Sequence, residues 1–448
     1  MSETAEIMKI SGISLILSLL PVIANATDDC ISRKTVPDTV MDLQSVIELG
    51  LCRNPDTASS YYSLQSARYN KNAGYANYLP SVNASANMGK NYQNNNWSDW
   101  EYGASISASY LVFDFGKRLA DLNQLTSTWR ATGFDYDERV QNYVYSVIGA
   151  YYALLNADAD VLSAQSLRTV AQTALDTANK KFHAGVVARA DVLRAETTLA
   201  SRNLDLERAN NNRAVAKGAL LTKLSFPADQ SITIADMPDD FGSPRENRSI
   251  DDLIAIARKK RPDLLRASAN KDAAWHRRNS AFLKNLPTIS ATGSLSWDDN
   301  EMQFGNYGIK HTSAAIGVRA TMPIFSGFAN MYGIRSATAL YDSATENLRG
   351  VQDNAILDIF TAYQNYKTAQ TVLTQTDTLL KSATESEKVT AGMYRVGRAT
   401  MLDWQTAQDE LVSAQKQNNA AKYDLFVKRA ALALAIGDIK SELEKEKP

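Results

Sequence analysis

The sequence predicts an internally duplicated α+β membrane protein, with four strands in each chain beside very long helices. Three observations carry that expectation. Two distant stretches repeat one another, four segments of about ten residues alternate with period two, and two proline-free segments of 66 residues read as helix throughout.

The repeat is plainest in "KFHAGVVARADVLRAETTL" at Lys181–Leu199 and "MYRVGRATMLDWQTAQDEL" at Met393–Leu411. Phe182 matches Tyr394, Gly185 matches Gly397 and Asp191 matches Asp403, all at an offset of 212. Asn54-Pro55-Asp56 matches Arg261-Pro262-Asp263, and Tyr78-Leu79-Pro80 matches Asn285-Leu286-Pro287, at an offset of 207. A period this long marks two large halves rather than a solenoid of short units.

Each half follows one plan. A short helix stops near a proline, and a helix over Thr57–Leu79 runs up to Pro80, which cannot extend it. Val82, Ala84, Ala86 and Met88 then alternate with Asn83, Ser85 and Asn87, and Tyr102 to Val112 alternate with Gly and Ser. The second half repeats this from Ile289 to Trp297 and from Ile316 to Ile324. Ten residues is the length of a tilted membrane-crossing strand. Aromatics crowd the strand ends, as at membrane interfaces, although a soluble hairpin with one buried face would show the same alternation. Long helices follow over Lys117–Phe182 and Ala329–Tyr394, and return over Arg189–Leu224 and Met401–Ile436. Their apolar faces are thin and rich in Ala, which suits either an ordinary amphipathic helix or the wall of a wet duct.

Four strands cannot close a barrel, and lipid does not tolerate an open sheet edge. Three copies would supply twelve strands, within the range of outer-membrane barrels.

The remaining chemistry is sparse. The 448 residues balance 48 Lys and Arg against 49 Asp and Glu, which argues against a nucleic-acid partner. His183, His276 and His311 are isolated, so no metal or cofactor site and no catalytic set is expected. Lys9, an apolar run and "ANA" at Ala24–Ala26 read as a secretory signal peptide, with translation beginning at Met1 or Met8. The two cysteines, Cys30 and Cys52, are expected to pair outside the cytoplasm.

The "NP" early helix, the "YLP" entry to the strands, "VFDFG" at the strand exit and the paired "F-x-x-G" and "Y-x-x-G" turns followed by Asp resemble the TolC-like outer-membrane factors of efflux pumps and type I secretion systems. The resemblance covers nearly the whole mature chain. It implies a homotrimer in the outer membrane lipid with a large periplasmic part: a 12-stranded β-barrel continuous with a long α-helical barrel and a mixed equatorial domain. It implies no enzyme activity, and docking of a periplasmic adaptor (membrane fusion) protein and an inner-membrane transporter on the helix tips at Gly185, Val186 and Gly397. On this reading residues 1–26 are the signal peptide, 27–225 the first repeat, 226–252 a linker and equatorial segment, 253–437 the second repeat and 438–448 a tail.

Asp191, Asp403 and Tyr394 match gate positions of the family, with Arg398 and Arg189 the nearby cations. Both aspartates also stand where a carboxylate favours a helix start, so capping competes with gating. Two departures stand out: the family's gate arginine position holds Ala399, and a second carboxylate position holds Thr406. The other class open to the sequence is a secreted trimeric coiled-coil or adhesin-like protein. Whether the cargo is a drug, a metal ion or a protein is not written in these residues.

Overall fold

The computed structural model describes residues 39–90, 92–93, 96–97, 100–235, 248–300 and 309–439. The expected signal peptide, Cys30, residues 236–247 of the linker and most of the tail lie outside them. Among the described residues the elements are α1 (Leu43–Arg53), α2 (Pro55–Gly74), a 3-10 turn (Tyr75–Tyr78), β1 (Ser81–Gly89), β2 (Tyr92–Gln93), β3 (Asn96–Trp97), β4 (Glu101–Phe113), α3 (Lys117–His183) and α4 (Arg189–Lys223). Then come α5 (Ile250–Lys260), α6 (Pro262–Leu283), β5 (Thr288–Asn300), β6 (Ile309–Thr321), α7 (Ala329–Arg395) and α8 (Met401–Ala435). The helices α3 and α7 have 67 residues each, and α4 and α8 have 35 each. The chain divides into two compact units, one of residues 61–136 and 262–353, the other of the remainder.

The first of these units carries an antiparallel sheet in the order β1-β4-β5-β6. Its register lines up Ser85, Ser105, Ser296 and Ser313 across all four strands. The hydroxyls bond in pairs, Ser85 to Ser105 at 2.8 Å and Ser296 to Ser313 at 2.7 Å. One residue along, on the other face, Ala84, Ile106, Leu295 and Ala314 form an apolar row. The apolar face is open, with Ile316 94% exposed. One detail differs from expectation: β6 stops at Thr321, short of Ile324, because Pro323 has no N–H for the ladder. The Asn-rich connection folds back through β2 and β3, pairing Tyr92 with Trp97.

The exit from β4 is fixed by ions. Arg118 donates to the carbonyls of Leu111 at 2.7 Å and Asn77 at 3.2 Å, and pairs with Asp114, which also accepts from the Arg118 and Gly116 backbone. Lys71 lies over Trp129 at 4.4 Å, and Arg278 lies over Tyr341 at 5.7 Å. These two contacts join positions related by the 207 and 212 offsets.

The second unit is helical. Its cores use equivalent residues: Val46, Val147, Leu220 and Leu224 in one, Leu253, Ile359, Leu432 and Ile436 in the other. In the segment "SITIA", Ile234 makes an isolated parallel bridge to Met41.

Candidate functional site

Both long helices end in the same backbone turn. Gly185 sits at φ 69° and Gly397 at φ 78°, where any side chain would strain the backbone. Around Gly185, Val186 N–H donates to Lys181 and Gly185 N–H to Phe182, each at 2.9 Å. Arg398 N–H donates to Met393 at 2.8 Å and Gly397 N–H to Tyr394 at 3.1 Å. This is the six-to-one and five-to-two bonding of a glycine-closed helix end.

Side chains make the two tips unequal. Tyr394 is 2% exposed and packs against Trp404, with ring centroids 5.2 Å apart and the ring planes tilted by 36°. Lys181 reaches over from α3, its ammonium 4.1 Å from the Tyr394 ring centre, and donates to the Tyr394 carbonyl. Trp404 donates through Nε1 to Glu387 at 2.8 Å. Ala174, Ala178, Val192, Ala195, Ala391 and Met401 close the cluster around these rings. Burial raises the Tyr394 hydroxyl above its usual value, and the Asp191 charge adds to the shift. That hydroxyl is buried and has no hydrogen-bond partner among the described residues.

Asp403 is a cap. It accepts from Thr400 N at 2.8 Å and Thr400 Oγ1 at 2.7 Å, while its own N–H donates to Thr400 Oγ1 at 3.1 Å. The Thr400 hydrogen bonds hold its carboxyl below the usual range. Asp191 stands at the same step of α4, but Ala188 offers no side-chain oxygen there. Asp191 instead lies 3.9 Å from Arg194. Arg189, Arg398 and Val186 are exposed, and among the described residues neither of these two arginines makes an ion pair. The structure thus gathers Asp191 and Tyr394 at one cluster and leaves Arg189 and Arg398 facing outward.

Sequence reading missed Lys181, Trp404 and the Thr400 cap. The pattern Thr400-x-x-Asp403 was the available signal for the last. It also missed Arg202, 8% exposed, which bonds Asp205 at 3.1 Å and reaches from α4 to Asp409 of α8. Cys52 lies in α1 and carries no free thiol.

The model of the outer membrane efflux protein family matches residues 46–224 and 253–438. The chain belongs to the outer membrane efflux protein family. Membership places it in the outer membrane as an exit duct of export systems, with a large periplasmic part. Outer membrane protein TolC of Salmonella enteritidis is 23% identical over 446 residues, covering 95% of this chain and 87% of that protein. Among solved structures, the CusC channel aligns with a TM-score of 0.78 at 18% identity, over 88% of this chain and 92% of that one. The outer membrane protein VceC of Vibrio cholerae aligns with a TM-score of 0.75 at 19% identity, over 88% and 96%. These likenesses show the fold.

Proposed function

We propose that three copies of the chain close a single passive duct, which receives cargo at the helix tips and releases it outside. One observation carries this reading. The sheet has an open apolar face and two edge strands, β1 and β6, each of whose outer sides pairs with nothing among the described residues. Lipid would leave those edges unsatisfied, and three copies of four strands complete a twelve-stranded barrel. A periplasmic adaptor and an inner-membrane transporter then meet the exposed turns at Gly185, Val186 and Gly397, with no cofactor and no catalysis by this chain. Residues 1–26 act as the export signal, and Cys30 pairs with Cys52 to hold the N-terminal arm to α1. Mass measurement of the detergent-solubilised protein should give a trimer; a monomer or dimer would end the proposal.

Asp191, Tyr394, Arg189 and Arg398 form the closed entrance in this reading. What supports it is a buried Tyr394 hydroxyl with no partner among the described residues, with the Asp191 charge near it and the exposed Arg189 and Arg398 on the same two turns. A carboxylate ring latched by Arg across copies would narrow the entrance. Single-channel conductance in planar bilayers should rise for Asp191→Ala and Arg398→Ala. Unchanged conductance in both would leave Asp191 with a helix-start role only.

A further inference from the structure

The two halves differ where helix meets strand. In the first, charges are matched: Lys117 pairs with Asp121 at 2.6 Å, and Arg118 with Asp114 at 3.2 Å. The positions 212 residues on are Ala329, Gly333, Asn330 and Ser326, none of them charged. The preceding helices differ in the opposite sense. Asn70 of α2 and Asn77 of the 3-10 turn correspond to Arg277 of α6 and Lys284 just past its end. No acidic residue lies between Asp272 and Asp298, or between Glu301 and Asp342. Among the described residues the side chains of Arg277 and Lys284 make no ion pair.

Space differs as well. A methyl group placed on Gly74 of α2 would meet Leu125 Cδ1 at 2.7 Å, so the first junction is full. Leu125 corresponds to Ala337, and a side chain at Gly333 would meet open space. The result is a groove of about 270 Å³ between α6 and α7, lined by Arg277, Lys284, Asn330, Gly333, Ser336 and Ala337.

We infer that this groove binds the phosphate head group of an anionic phospholipid in the outer membrane. The inference rests on the sheet lying in that membrane. Lys284 stands four residues before β5 begins, at the level where the membrane-crossing strand starts. Phe282 and Phe328, next in sequence to the lining Ala281 and Ala329, and Tyr332, next to Gly333, are 59%, 61% and 61% exposed. A guanidinium and an ammonium bind phosphate oxygens, Ser336 and Asn330 add neutral donors, and the aromatic flank suits the glycerol and acyl ends. Free phosphate would use the cations and ignore the flank. The volume falls just below the range of drug-sized cavities, about 300–1,000 Å³, as a head group requires.

The test is thermal unfolding of the delipidated protein in a neutral maltoside detergent. Dioleoyl-phosphatidylglycerol should raise the unfolding temperature; dioleoyl-phosphatidylcholine, glycerol 3-phosphate and inorganic phosphate should not. Arg277→Ala and Lys284→Ala should each weaken apparent phosphatidylglycerol affinity about fivefold, the equivalent of ~1 kcal/mol per cation at an anionic surface. Ala337→Leu, which installs the first half's side chain without touching charge, should abolish the response, and Arg349→Ala should leave it unchanged. An equal response in wild type and all groove variants overturns the inference, as does full replacement of the lipid by glycerol 3-phosphate or inorganic phosphate. Oligomer mass and outer-membrane fractionation, measured on the same preparations, report separately on the duct itself.

Discussion

Phe182 and Tyr394 hold equivalent places 212 residues apart, yet Phe182 is only partly buried at the margin of the tip cluster while Tyr394 lies at its centre. Val192 answers to Trp404, and Ala188 to Thr400. The backbone turn is one design used twice, but the second tip carries the large rings and the polar cap, and the first packs small residues against them. The two copies share one chain path, and their side chains make the second the anchor of the cluster.

The sharpest way to break that comparison is Trp404→Ala. Loss of a buried indole costs about 3–5 kcal/mol, whereas Val192→Ala removes two methyl-sized groups, about 1.6 kcal/mol. Hydrogen exchange at the tip amides should therefore accelerate far more for the first, and equal acceleration would mean that the tips are equivalent. Next in size, Gly185→Ala and Gly397→Ala should each cost about 1–2 kcal/mol, because both need a left-handed backbone. Here the expectation is equality, read from protease nicking rates at the two turns. A large difference would show that the turns are not the same motif.

Smaller effects sharpen the contrast in capping. Thr400→Ala should lose about 1 kcal/mol, while Ala188→Thr should gain stability at the first tip by supplying the cap it lacks. The smallest effect is a pH dependence. Asp403 has its folded value depressed by Thr400 below the ordinary 3.8, so its stabilisation is complete above that value and is lost as pH falls through the lower folded one. The stability deficit of Asp403→Asn at pH 7 should shrink below about pH 4, and a constant deficit would remove the carboxylate from the cap.

Much of the architecture was legible because it rests on local patterns. Prolines at Pro55, Pro80 and Pro262 punctuate the helices, and the period-two alternation names the strands. Gly185 and Gly397 mark the turns. The long helices came within a residue of their observed ends, since nothing inside them interrupts backbone bonding. The Tyr394 environment was not legible. As an aromatic gate matched by family position, Tyr394 gave no hint that it packs under Lys181 and on Trp404, contacts spanning 213 and 10 residues of chain. The Arg202–Asp409 bond between returning helices was equally hidden, because each residue alone reads as a solvated face charge.

By itself the sequence determined the element order, the duplication and the alternation of faces, for these follow from spacing along one chain. Only the tertiary structure decided which of two matching residues is buried, which aspartate is capped and where a full junction became an open groove. Such outcomes depend on volume and charge contributed by partners far away in sequence, and a one-dimensional pattern does not carry that information.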